Sequence, residues 1–172
     1  MRPDIQARLQ RIEKVSIILR VICKGLLAVI ALLGLSAVVS VAFGVGGISY
    51  DNILFRTAEL TLGHRIVLGA VTALTFAFLF KSFYHLHRLF GNYSSGEIFT
   101  RKSVGQLRQF GIACLLWGAM SFLWGLSLAI SMNPAKSFQG HADSFTFGAI
   151  IIVIAWFMDM AVDLHEENEL TI

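Results

Sequence analysis

The chain has 172 residues, 56% of them hydrophobic and only 15% charged, with a formal net charge of +3 and a mean hydropathy of +0.71. A soluble domain carries about 25% charged residues. Here the apolar excess falls in long blocks, which excludes an ordinary water-soluble domain and predicts an integral membrane protein in contact with the lipid bilayer.

In chain order, residues 4–20 (DIQARLQRIEKVSIILR) place Ile5, Leu9, Ile12, Ser16 and Leu19 on one helical face, with Arg8, Arg11 and Lys14 towards the other. This pattern predicts a short amphipathic helix at the membrane interface; a plain extension of the first span is the alternative. Residues 25–45 carry no charge, enough for the roughly 20 apolar residues a spanning helix needs. That run is longer than the roughly 7–15 residues of a secretory signal core, so it is expected to be retained. Residues 46–65 form a mixed loop opened by Gly46-Gly47. The second span has its uncharged core at 66–80, the third at 110–132 and the fourth at 145–158. The expected spans are about 21–45, 64–89, 109–132 and 144–164, in a single all-α transmembrane domain over 1–172. The second and fourth reach full length only if a charged residue near one end snorkels to the headgroups.

Lys and Arg are distributed unequally. Arg2, Arg8, Arg11, Lys14, Arg20 and Lys24 precede span one, and Lys81, Arg88, Arg101, Lys102 and Arg108 lie between spans two and three. Only Arg56, Arg65 and Lys136 fall in the other two connections. The positive-inside rule then places both termini and the middle connection in the cytoplasm, N-in and C-in. These basic residues are explained by topology, and no direct nucleic-acid binding is expected. Cys23 and Cys114 lie near the inner span ends, where a disulfide is not expected.

Small residues recur at four-residue spacing: Ser36, Ser40 and Gly44; Gly69, Ala73 and Ala77; Ser121, Gly125 and Ala129. Such rows let membrane helices approach closely and argue for a compact bundle. Trp117 and Trp124 share a face of span three and suit packing or lipid contact.

Spans two and four run in the same direction and carry opposite charges at matching depth. Lys81, His85 and Arg88 stand at the same intervals as Asp159, Asp163 and Glu166, each set on one helix face. An interhelix ladder of Lys81–Asp159, His85–Asp163 and Arg88–Glu166 would neutralise charges that are costly near lipid; separate snorkelling is the alternative. His85, Asp159 and Asp163 make a thin ligand set for a divalent ion. No metal, cofactor or catalytic constellation is expected, and the chain is read as a non-enzyme.

The middle connection reads as a turn at 91–95, with Gly91-Asn92 suited to a left-handed helix terminus, followed by GEIFTRKSVGQLRQFG. Ser103 and Gln106 fit a capping box, and Thr100 is placed to cap one turn earlier. A short cytoplasmic helix continuing into span three is expected. The closing residues, DLHEENELTI, are acidic and lie on the same side as the basic loop. Glu166, Glu167 and Glu169 are placed to dock on Arg101, Lys102 or Arg108.

The Gly-x-Ile-Phe-Thr core with its following Leu-Arg-x-x-Gly, together with the ending EENELTI, resembles the YoaS-like family of small bacterial membrane proteins, a domain of unknown function. The resemblance runs from span two to the C-terminus. It implies a multi-pass, four-helix protein of the bacterial inner membrane and brings no catalytic residue. An association of relatives with small helix-turn-helix regulators implies signalling or sequestration. Two functions are carried forward. The first is a regulatory or scaffold protein that docks a small cytoplasmic regulator on Gly96, Glu97, Ile98, Phe99, Thr100, Arg101 and Arg108 with Glu166, Glu167 and Glu169. The second is a transporter or channel subunit, homo-oligomeric if need be, that uses the charged cluster of spans two and four.

Overall fold

The computed structural model describes residues 3–45, 47–50, 53–56, 61–98, 100–132 and 142–170. Four long helices account for most of them: α1 (Pro3–Phe43), α2 (Leu62–Ser94), α3 (Arg101–Met132) and α4 (Ala142–Leu170). Each contains a stretch long and apolar enough to cross a membrane. Between α1 and α2 stand two short strands, β1 (Gly47–Tyr50) and β2 (Ile53–Arg56), paired antiparallel from Gly47↔Arg56 to Tyr50↔Ile53. The strand pair corrects the expectation of a mixed loop over 46–65 at residues 47–50 and 53–56.

α1 begins at Pro3, where proline's fixed φ suits a first turn and its missing N–H would be unpaired in any case. It then runs without a break for 41 residues. The separate amphipathic helix anticipated over 4–20 is therefore continuous with span one. No glycine or proline between Arg11 and Lys24 offers a place to stop. At 1.5 Å per residue α1 is about 60 Å long, twice the roughly 30 Å hydrocarbon core, so about half of it projects past a bilayer. α1 ends where Gly44 adopts φ +66° and Val45 N–H donates to Ser40 C=O at 3.1 Å, a Schellman terminus.

The helices run up and down and pack in chain order, α1 on α2, α2 on α3, and α3 on α4; among the described residues α1 and α4 share no comparable seam. Cross-helix contacts fix the antiparallel registers. Phe76 of α2 lies against Gly34 of α1, and Val41 against Gly69. Trp124 Nε1 donates to Thr72 Oγ1 at 3.1 Å, joining α3 to α2. Gly111 of α3 faces Gly148, Ile151 and Ile152 of α4.

Buried residues recur at seven-residue intervals on each helix. They include Ser16, Cys23 and Ile30 on α1, then Ser82 and Leu89 on α2. On α3 they are Val104, Gly111, Gly118 and Gly125, and on α4 Gly148, Ala155 and Val162. A heptad keeps one face of each helix towards its neighbour at a shallow crossing. The four-residue rows picked out from the sequence coincide with these seams only in part: Ser36, Ala73 and Ala77 are exposed, and only Gly125 of those described is buried. Small residues mark close approach only when the helix's rotation turns them to a partner, and that rotation is set by the whole seam. The outward faces are apolar, with Leu32 69%, Leu35 66% and Trp156 63% exposed, a surface suited to lipid rather than water.

Candidate functional site

The N-terminal ends of α1 and α3 and the C-terminal ends of α2 and α4 gather at one end, which carries most of the basic residues and is termed the basic end. Here the α2–α3 connection is built from two interlocking caps. α2 continues past Gly91 and Asn92, so the left-handed residue anticipated there falls instead at Gly96, with φ +78°. Gly96 N–H donates to Tyr93 C=O at 3.2 Å and Glu97 N–H to Asn92 C=O at 3.0 Å, the paired bonds of a Schellman terminus. Glycine adopts this conformation at no steric cost.

α3 starts at Arg101 with Thr100 as its cap. Ser103 N–H donates to Thr100 Oγ1 at 3.3 Å, and Val104 N–H reaches Thr100 C=O at 3.0 Å. Thr100 thus takes the capping role, one turn before the Ser103–Gln106 box. Ser103 is fully buried, and its hydroxyl donates to Glu97 C=O at 2.6 Å. Lys102 Nζ meets Glu97 Oε2 at 3.1 Å. These bonds tie both ends of the turn to the first turn of α3, which a serine two residues into a helix does not announce in the sequence.

Arg101 closes the other side. Its Nε donates to Glu166 Oε1 at 3.0 Å and its second guanidinium nitrogen to Glu166 Oε2 at 2.7 Å. The same nitrogen lies 2.9 Å from Asp163 Oδ1. The two-point geometry matches guanidinium to carboxylate, but all three side chains are at least half exposed. For such pairs the stabilisation is about 0–1 kcal/mol. The contact therefore orients the ends of α3 and α4 more than it holds them together.

The anticipated ladder between α2 and α4 is replaced by this arrangement. α3 lies between the two helices, so the α4 carboxylates meet the first turn of α3. His85 instead bonds Gln106 of α3, Nδ1 to Oε1 at 2.9 Å, and Arg88 lies 5.8 Å from the Tyr84 ring centroid. Lys81 is exposed and Asp159 half-buried. Equal depth along parallel spans carries no information about which helix stands beside which. Charge reversal Arg101→Glu should weaken the α3–α4 contact by no more than about 1 kcal/mol, and Arg101→Glu with Glu166→Arg should recover it. A double-mutant cycle on thermal unfolding in detergent reads this, and a double variant less stable than Arg101→Glu alone would count against the pair.

Of the remaining docking residues, Ile98 is half-buried and Arg108 and Glu167 are exposed. The side chains of Phe99 and Glu169 lie outside the described residues.

Four apolar membrane-length helices, packed in chain order with a capped polar connection at one end, define a multi-pass helical membrane protein. The family described as "Protein of unknown function (DUF2975)" matches residues 55–172, and the chain belongs to it. The match takes in the end of β2, α2, the capped connection, α3 and α4, and leaves α1 and β1 outside. Comparison with curated proteins and with solved structures gives no significant match.

Proposed function

We propose that this is a non-enzymatic regulatory or scaffold protein of the bacterial inner membrane, with both termini and the α2–α3 connection in the cytoplasm. Its basic end docks a soluble partner, a small regulator held at the membrane. The orientation rests on the excess of Lys and Arg at that end. Within its family, the Gly96–Thr100 core and the acidic ending favour the YoaS-like group.

The observation that carries this reading is the fixed polar surface at the basic end. Ser103 and the two caps hold the connection, and Arg101 aligns the ends of α3 and α4. Exposed Arg101, Lys102, Arg108, Glu166 and Glu167 then form a patch of both signs, preorganised in a way that lowers the entropic cost of binding. Affinity capture of the intact protein in mild detergent is the test. A stoichiometric soluble partner that is lost on Arg108→Glu is expected. Self-association alone, with ion flux in liposomes, would favour a transport role instead.

A further inference from the structure

Beside the docking face, α1, α2 and α3 line an open cavity of about 240 Å³ with Arg20, His87, Arg88, Asn92, Ser95 and Lys102, among others. Three permanent cations from three helices thus share one concavity. Lys102 is paired with Glu97. Among the described residues neither Arg20 nor Arg88 has a carboxylate partner. Arg20 lies against α2 at Gly91, where a Cβ would stand 3.6 Å from its Nε and Cζ, an ordinary contact distance. His87 Nδ1 donates to Arg20 C=O at 3.2 Å; a carbonyl only accepts, so the proton sits on Nδ1. This bond fixes α1 against α2 beside the cavity.

A second, independent feature points to a ligand. Asn92 is only 8% exposed, and its Nδ2 is buried without a hydrogen-bond partner. A buried donor left unpaired is costly, and native structures usually supply it with an acceptor. Cations together with an unmet amide donor call for an anion rich in acceptor oxygens, and phosphate has that chemistry.

The surroundings decide which phosphate. A second cavity of about 350 Å³ adjoins the first, sharing Arg20 and His87 and adding Ile17, Val21 and Lys24. Ile17 and Val21 are 48% and 66% exposed, so an apolar flank continues outward from the cationic part. The site lies where charged helix ends leave the uncharged spans, which is headgroup depth. A soluble phosphate uses only the cationic part, whereas a phospholipid uses both. We infer that this paired cavity binds the phosphate of an anionic phospholipid, the headgroup held by Arg20, Arg88, Lys102 and the Asn92 amide, with the lipid's apolar part along Ile17 and Val21. Basic pockets between spanning helices are suited to such headgroups. This site shares Lys102 with the docking patch but does not rest on the docking role.

The test uses the full chain in neutral detergent. Phosphatidylglycerol, phosphatidylcholine and inorganic phosphate are titrated separately, with bound lipid counted by native mass spectrometry and stability followed by thermal shift. Phosphatidylglycerol should bind and stabilise, with phosphatidylcholine about tenfold weaker. Arg20→Gln with Arg88→Gln should weaken phosphatidylglycerol binding roughly thirtyfold and remove its preference over phosphatidylcholine. If the double variant does not fold, Arg88→Gln alone should give about a fivefold loss. Equal binding of the two lipids, or undiminished phosphatidylglycerol binding in the variants, overturns the inference. A stabilisation by inorganic phosphate that matches phosphatidylglycerol assigns the cavity to free phosphate and overturns the lipid assignment.

Discussion

Gly148→Leu is expected to destabilise the protein by the upper end of about 1–3 kcal/mol, read as thermal unfolding in detergent. A Cβ at Gly148 would stand 2.9 Å from Leu115 Cγ and 3.0 Å from the Leu115 backbone nitrogen. The side-chain contact can turn aside, but the backbone contact cannot yield unless α3 and α4 move apart. Across the seam, a Cβ at Gly111 would meet Gly148 C=O at 3.2 Å, so the two glycines form one close approach. Separation there would be felt along the whole face that carries Val104, Ala155 and Val162. Gly105→Ala, on α3, provides the contrast. Nothing lies within 4 Å of its added Cβ, and removing a helix-interior glycine should stabilise by about 0.5–1 kcal/mol. Should Gly148→Leu unfold at the wild-type temperature, α3 and α4 do not meet at these glycines.

Ser103→Val is expected to loosen the α2–α3 connection by about 1–3 kcal/mol. Valine fills a similar volume but removes the donor to Glu97 C=O and the acceptor for the Thr100 hydroxyl, which lies 3.2 Å from Ser103 Oγ. Because Ser103 is fully buried, water does not readily replace either bond. The loss is local, so amide hydrogen exchange is a better measure than global melting. Exchange over 95–101 should rise roughly tenfold to a hundredfold, converting that cost at about 1.4 kcal/mol per decade. Amides in the middle of α3 should stay as protected as before. Unchanged exchange in the connection would show that the two caps alone hold it, without the serine. If partner capture is also lost in this variant, the rigidity of the connection is part of docking.

How much of this was legible in the sequence differs from residue to residue. The four spans and the strong charge asymmetry follow from composition summed over about twenty residues, and such sums survive without knowledge of neighbours. The cap at Thr100 was visible as a side-chain oxygen three residues before a backbone N–H. The terminus at Gly96 was not singled out, because Gly91-Asn92 offers an equally plausible local signal. Only the length to which α2 can be packed against α1 and α3 decides between them. The strand pair at 47–50 and 53–56 escaped notice because four-residue strands carry little periodicity. The site residues divide in the same way. Arg101 and Glu166 were candidates by charge and side of the membrane, but Asp163 was assigned to His85 and now meets Arg101.

The sequence by itself determined where the chain enters and leaves an apolar phase and which end collects the cations, since hydrophobicity and charge act residue by residue. Only the tertiary structure decided which faces meet. The chain-order packing, the heptad seams through Gly111 and Gly148, and the position of α3 between α2 and α4 all depend on helix rotation. So does the meeting of Arg20 with His87, residues far apart in the chain. Rotation is set by the summed fit of many small contacts across a seam, and no local stretch of sequence contains that sum.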